Sequence, residues 1–339
     1  MAKKVKEEVV KRADKKRTVD SLMADLSEKY KRPMITMASD VKLDKFPTGL
    51  MSLDEMLCGG IPKGRWTMLY GAKGVGKSSL VSFIIGKVQE AGLKALYIDA
   101  EHAYDPDYGA SLGVDNSTLL YVKPQTLEEA ITVVRDSAPV VDLIVVDSIV
   151  AIGTEKEIER DMEQDTMAAI PRKLSQFFRI TNPIVGKSNC MVILINQTRS
   201  KLDAYVPFDS FPGGNALAHY CSFIMSMRRG SKDDDPSKKI DGKDVKIGHR
   251  IYLVAEKTKL GPNEAQKGFF DLLSEAPHFD DVTDLAFMAE LKNIITGSGA
   301  WFYYGEQKFS GRAGVVEALR TDSTLFDKVR EDVLKTIKK

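Results

Sequence analysis

Gly71-Ala72-Lys73-Gly74-Val75-Gly76-Lys77-Ser78 satisfies the pattern G-x4-G-K-[ST], and its surroundings decide the fold. The short run Arg65–Tyr70 leads into it, and a helical period from Ser79 to Glu90 leads out. A strand, a glycine-rich turn and a helix in that order make a phosphate-binding loop. Glycines let backbone N–H groups wrap a phosphate, the helix N-terminus adds positive potential, and Lys77 has the reach for β and γ oxygens. Residues Gly71 through Ser79 are therefore expected to hold ATP, with the Ser78 hydroxyl facing Mg2+.

Working outward, the apolar runs Ala95–Asp99, Leu143–Asp147 and Cys190–Ile195 alternate with helical periods. Near-continuous apolar strands separated by helices predict a parallel sheet covered on both faces. The run Leu143–Asp147 finishes in a carboxylate, which is what a Walker B position for Mg2+ requires. Glu101, just past Ala95–Asp99, is placed to orient or deprotonate a water. Two β-rich runs, Cys221–Met227 and Arg250–Ala255, flank the polar stretch Ser231–Gly248; its Asp241-Gly242 turn signal predicts a solvated hairpin.

Beyond Leu272 the pattern changes to a helix around Asp281–Ile295, a Gly297-Ser298-Gly299 break, the aromatic run Trp301–Tyr304 and a last helix. Trp301–Tyr304 is read as core filling, with base stacking as the alternative. At the other end, Lys3 to Arg17 hold eight basic and three acidic side chains with a thin apolar stripe, an exposed basic helix. An amphipathic stretch Val19–Tyr30 follows, and Met34–Lys45 looks extended. Three parts are expected: an N-terminal appendage (1–45), an α/β core (46–272) and a small C-terminal α/β domain (273–339).

The bulk numbers exclude several classes. Lys plus Arg at 49 against Asp plus Glu at 48 gives net +1, so a nucleic-acid surface must come from local clusters. No apolar run approaches the ~18 residues of a membrane span, and the charged start lacks a signal peptide's core, so a cytoplasmic protein away from membranes is expected. Cys58, Cys190 and Cys221 are too far apart in sequence to suggest a disulfide framework or a zinc site, and read as buried reduced thiols.

Five short segments carry a resemblance. Asp99-Ala100-Glu101-His102, Asp105-Pro106, Val145-Val146-Asp147-Ser148, Ile195-Asn196-Gln197 and Gly213-Gly214-Asn215-Ala216-Leu217 together resemble the RecA recombinases at similar spacing, from about Pro47 onward. The resemblance implies an ATP- and Mg2+-dependent recombinase, a DNA-dependent ATPase that forms a helical filament on single-stranded DNA and exchanges strands with a homologous duplex in recombination and repair. It implies that Glu101 activates the attacking water with Lys77 and Gln197 as catalytic partners, that Asp105 and Tyr108 contact adenine, and that Gln197 senses the γ-phosphate. Lys257 and Lys259 are implied to reach ATP across a subunit interface.

For DNA, the resemblance implies a first loop, Glu157–Met167, with Met167 wedged between bases and Arg172, Ser175 and Arg179 on phosphates. A second loop, Thr198–Pro212, would bring Arg199 and Lys201, closed by Gly213, Gly214 and Asn215. Bland readings stand beside these: Glu157–Gln164 as a capped helix start, Arg199 and Lys201 as surface charges, and Arg228-Arg229 as a solvated strand end instead of a second DNA site. Met34, Ile35 and Met37 resemble the short strand that docks one subunit on the next, with an ordinary linker as the alternative. His219, Tyr252 and Val254 depart from the family pattern. The rivals are a RecA-core hexameric helicase and a non-catalytic recombination-mediator paralogue; the docking segment and Gly213-Gly214-Asn215 favour a filament, and intact Lys77, Glu101, Asp147 and Gln197 favour catalysis.

Overall fold

The computed structural model describes residues 18–149, 151–153, 169–198, 214–261 and 266–337; the basic stretch Lys3–Arg17 lies outside them. The chain divides into two compact units, one ending at Asp44 and one beginning at Lys45. In the first, α1 (Val19–Tyr30) starts where the Thr18 hydroxyl accepts from the Ser21 N–H at 3.2 Å and stops at Lys31, which adopts the left-handed φ of 53°. None of its residues is buried. Met34 and Met37 are 41% and 58% exposed, and Met34–Met37 enters no strand pairing among the described residues.

The second unit opens with β1 (Lys45–Phe46), α2 (Met51–Met56) and β2 (Ile61–Pro62), the two strands paired antiparallel. There follow β3 (Trp66–Gly71), α3 (Lys77–Glu90), β4 (Ala95–Asp99), α4 (Pro106–Ser111), β5 (Leu120–Val122), α5 (Leu127–Ser137) and β6 (Leu143–Asp147). Next come α6 (Ala169–Ser188), β7 (Met191–Gln197), α7 (Gly214–Tyr220), β8 (Phe223–Arg229), β9 (Ser237–Ile240), β10 (Lys243–Lys246), β11 (Gly248–Thr258) and β12 (Lys267–Leu273). Among the described residues the main sheet has eight strands in the order β12-β11-β8-β3-β7-β6-β4-β5, parallel from β8 to β5, with β11 antiparallel to both its neighbours.

Every residue of β3, β4 and β6 is buried, because helices cover both faces. Alternate residues serve alternate cores, as a two-residue period demands. Leu69, Tyr97, Val145 and Ile193 pack with Leu80 and Ile84 of α3 on one face. Met68, Leu96, Ile144 and Val192 pack with Val134 of α5 and Leu174 and Phe178 of α6 on the other. Trp66 anchors that second core edge-on to Phe177 and Phe178, and its indole N–H donates to Asn182 Oδ1 at 3.1 Å. All three cysteines are buried and in no disulfide. No helix among the described residues is long and apolar enough to cross a membrane.

The polar stretch forms the β9–β10 hairpin, turned by Asp241 and Gly242 at φ 51° and 77°. Both central residues in the left-handed region is the type I′ geometry that matches strand twist. Past β12, α8 (Asp281–Leu291), β13 (Thr296–Ser298), β14 (Trp301–Tyr304), β15 (Gln307–Ser310), α9 (Gly311–Thr321) and α10 (Ser323–Thr336) enclose a separate cluster of Leu285, Met288, Val315, Leu319, Val329 and Val333. Met51 of α2 enters the same cluster. Phe302 and Tyr304 pack against it, while Trp301 faces outward beneath the Lys308 ammonium, 4.0 Å from the ring centroid. The aromatic run thus splits by strand alternation into inward and outward members.

Two buried carboxylates lie between α2 and the C-terminal helices. Asp54 Oδ1 accepts from the Thr48 N–H at 2.7 Å and the Thr48 hydroxyl at 2.8 Å, and Asp284 Oδ2 accepts from the Ser52 N–H at 3.2 Å. Burial outweighs these bonds and pushes Asp54 up to about 7 and Asp284 up to about 6. The folded chain therefore holds protons that the unfolded chain releases. Their stabilisation is complete below the ordinary carboxylate value of 3.8 and is lost as pH rises through about 6 and 7. Asp54→Asn keeps the acceptor for Thr48 and removes the titration, so the fall in melting temperature between pH 5 and pH 8 should shrink by about 2 °C or more in that variant. A fall of unchanged size would show that the carboxyl does not titrate in that window.

Candidate functional site

Four parallel strands end together. Gly71 closes β3 opposite Gln197 of β7, and Asp99 closes β4 opposite Asp147 of β6. In such sheets the carboxyl ends of the strands form the ligand crevice, because the loops leave there and helix N-termini point back toward it.

The phosphate-binding loop bridges β3 and α3. Gly74 and Gly76 take φ of 75° and 93°, and Gly76 starts α3, its carbonyl accepting from the Leu80 N–H at 3.0 Å. Gly71 needs its missing side chain for another reason: a Cβ there would stand 2.3 Å from the Met227 carbonyl oxygen of β8. Lys77 folds over the loop, its ammonium donating to the Gly71 and Ala72 carbonyls at 2.9 Å each. Burial lowers its pKa, opposed by the charges of Asp147 and Glu101. Ala72, Lys73, Gly74 and Ser78 are exposed, Val75 is buried, and Ser79 is buried with its hydroxyl 2.9 Å from the Tyr108 hydroxyl.

The carboxylates gather on one side of the loop. Asp147 Oδ2 accepts from the Ser78 hydroxyl at 2.7 Å and from the Tyr97 hydroxyl at 2.8 Å. Burial raises its pKa nonetheless, with Glu101 and Asp99 adding repulsion. A serine hydroxyl beside a strand-end carboxylate is a hard oxygen donor set, which fits Mg2+. Glu101 Oε1 accepts from the Gln197 amide at 2.7 Å. Asp105 caps α4, accepting from the N–H groups of Asp107 and Tyr108 at 2.9 and 3.2 Å. It lines a small cavity of about 70 Å³ together with Ser78, Tyr97, Tyr104, Tyr108 and Asp147.

Other expected residues stand away from this crevice. Lys257 and Lys259 leave β11 level with the start of β3, since Thr258 pairs with Phe223 and Phe223 with Thr67. Four residues of strand, about 13 Å, separate that level from Gly71. Their ammonium groups bond to the Ala218 and His219 carbonyls and so close the C-terminal end of α7. On α6, Arg172 and Arg179 are exposed and Ser175 is partly buried, and the spacing puts all three on one helix face. Gly214 and Asn215 begin α7. Met167, Arg199, Lys201 and Gly213 lie outside the described residues.

Arg229 and His249 bond side chain to side chain at 2.9 Å beside Asp235, and Arg228 lies over the Tyr252 ring at 5.5 Å. Arg250 makes a two-pronged bond to Asp271, 2.8 Å on each side. Tyr97 and Tyr121 carry no motif in the sequence, and Asp99 enters there only as the first residue of Asp99-Ala100-Glu101-His102. Tyr121 donates to Asp99 Oδ2 at 2.7 Å, and Asp99 also accepts from the Tyr104 and Ala103 N–H groups at 2.9 and 3.2 Å, holding the turn that carries Glu101. Burial works to raise the Asp99 pKa, but these bonds outweigh it and hold the group below the usual carboxylate range. In sequence a tyrosine inside a strand looks like core; its partner is visible only across the sheet.

Loop, strand ends and sheet order define a P-loop α/β protein of the class that binds at the carboxyl edge of a parallel sheet. Its place within the class comes from comparison. The family model of the RecA N-terminal domain matches residues 17–268. Protein RecA of Thermus aquaticus is 32% identical over 332 residues, which cover 95% of this chain and 94% of that one. Protein RecA of Prochlorococcus marinus is 36% identical over 304 residues, 87% and 76% of the two chains, and that of Caulobacter vibrioides is 32% identical over 337 residues, 96% and 91%. The chain belongs to the RecA family, and its function is the family's, recombination and repair of DNA.

The tight approach of β3 to β8 gives a test of the loop's geometry. Gly71→Ala must push Met227 aside and should cost about 2 kcal/mol of stability, read from the midpoint of urea unfolding; an unchanged midpoint would mean that the two strands part without cost.

Proposed function

We propose that this chain is an ATP-dependent recombinase that assembles as a filament on single-stranded DNA and exchanges strands with a homologous duplex. The contact that carries the reading is the 2.7 Å bond from the Gln197 amide to Glu101. Gln197 is the last residue of β7, and the next residue, Thr198, begins the expected second DNA loop, Thr198–Pro212. A group at the nucleotide crevice is therefore joined directly to the segment expected to meet DNA.

Lys77 and the N–H groups of Gly71–Ser78 bind the phosphates, with Asp105 and Tyr108 toward the base. Bound Mg2+, held by Ser78 and Asp147, supplies Lewis-acid neutralisation of charge on the phosphate oxygens. Glu101 orients the attacking water and takes its proton. A γ-phosphate oxygen would compete with Glu101 for the Gln197 amide and shift its side chain, so the nucleotide's state changes the tether on the loop that follows. Lys257 and Lys259 are too far from the loop of their own chain and serve ATP bound to the next subunit. Coupling between nucleotide and filament follows, because the site is completed only by a neighbour.

Exposed Met34 and Met37, with Ile35 between them, supply the segment that joins one subunit to the next. Arg172, Ser175 and Arg179 track phosphates from one face of α6, joined by Met167, Arg199, Lys201, Gly213, Gly214 and Asn215. Base pairing, not side chains, reads the sequence. The protein acts in the cytoplasm, on DNA and on copies of itself.

Strand exchange between homologous single- and double-stranded DNA, with a Lys77→Ala control, tests the whole reading; exchange that survives the loss of Lys77 or proceeds without ATP would sink it. Glu101→Gln should keep ATP binding and filaments while turnover falls about 100-fold or more. Normal hydrolysis by that variant would remove Glu101 from catalysis. Met34→Asp with Met37→Asp should yield monomers that still bind nucleotide, and electron microscopy showing unchanged filaments would remove the docking role.

A further inference from the structure

The Asp147 carboxylate is gripped from two sides, and only one grip belongs to the phosphate-binding loop. Ser78 donates to Oδ2 at 2.7 Å from the start of α3. Tyr97 donates to the same oxygen at 2.8 Å from within β4. No loop pattern asks for a tyrosine there, and phenylalanine would fill the same space in the core of Leu80, Ile84 and Val145. Tyr97 is 2% exposed, and the one proton its hydroxyl can donate goes to Asp147. Its ring is held in place by Tyr104 and Tyr121, with centroids 5.1 and 6.4 Å away. On the neighbouring strand end the same device recurs, Tyr121 donating to Asp99 at 2.7 Å.

We propose that Tyr97 is a positioning residue for bound Mg2+: its hydroxyl sets the rotation of the Asp147 carboxylate and keeps it against Ser78. The inference rests on the proposed reading of Ser78 and Asp147 as the metal's holders. Both bonds fall on Oδ2, so together they fix the carboxylate plane, and Ser78 alone cannot, since its hydroxyl would also serve the cation. Groups that orient a metal's ligands change its affinity about 10- to 100-fold when removed.

The test uses the full chain with ADP and Mn2+, the metal read by electron paramagnetic resonance. Tyr97→Phe removes one oxygen and should weaken Mn2+ binding about tenfold, while ADP affinity in the presence of a chelator stays within about twofold of wild type. Tyr104→Phe, whose hydroxyl bonds to Asn116 at 2.7 Å, should bind Mn2+ like wild type. Wild-type affinity in Tyr97→Phe would overturn the proposal, as would an equal loss in Tyr104→Phe, which would show that the effect does not come from the hydroxyl on Asp147. Asp147→Asn separates the two levels of the argument. Loss of Mn2+ binding is expected; tight binding there would overturn the metal reading itself, whereas loss there beside an unaffected Tyr97→Phe removes Tyr97 alone.

Discussion

A carboxylate at the end of a fully buried strand is expensive to hold in its charged form, and Asp147 stands in that position. Burial raises its pKa in spite of two hydrogen bonds on one oxygen, and Glu101 and Asp99 add like charge from the next strand end. Much of the architecture around the crevice answers that cost. Ser78 reaches it because Gly76 allows the loop to turn sharply into α3, and Lys77 brings a positive charge that the loop's own carbonyls restrain. In the proposed reading, a divalent cation at Ser78 and Asp147 would relieve the remaining repulsion.

The same sheet also supplies connection. Gln197 and Gly71 end adjacent strands, and α7 begins at Gly214, on the far side of the segment proposed as the second DNA loop. Lys257 and Lys259 bond to the last carbonyls of α7 at the far edge of the sheet. One short helix is therefore bounded at its start by the expected DNA loop and at its end by the two lysines assigned to a neighbour's nucleotide. In the proposed filament, the strands between these points would link a shift at one end to the other.

Much of the fold was legible along the chain because its signals are local. The runs Ala95–Asp99 and Leu143–Asp147 are strands with those very bounds, α1 covers Val19–Tyr30, and Asp241-Gly242 makes the turn its residue types require. β5 escaped reading. Leu120 and Tyr121 are 49% and 37% exposed on an edge strand of three residues, too short to show a period. The expected extended stretch Met34–Lys45 instead holds a 3-10 turn at Ala38–Asp40, and Met34–Met37 enters no strand pairing among the described residues.

By itself the sequence determined the phosphate-binding loop, the strand that feeds it, the acidic strand end at Asp147 and the alternation of strands with helices. Each of these is a matter of residue type at fixed spacing, and backbone sterics and hydrophobic periodicity act over a few residues. Only the tertiary structure decided that Tyr97 holds Asp147, that Tyr121 holds Asp99, that Gln197 rests on Glu101, and that Lys257 and Lys259 lie at the opposite end of the sheet from Gly71. Those relations join residues from about 20 to about 190 positions apart, and the order in which strands pair, which no local pattern encodes, brings them together or keeps them apart.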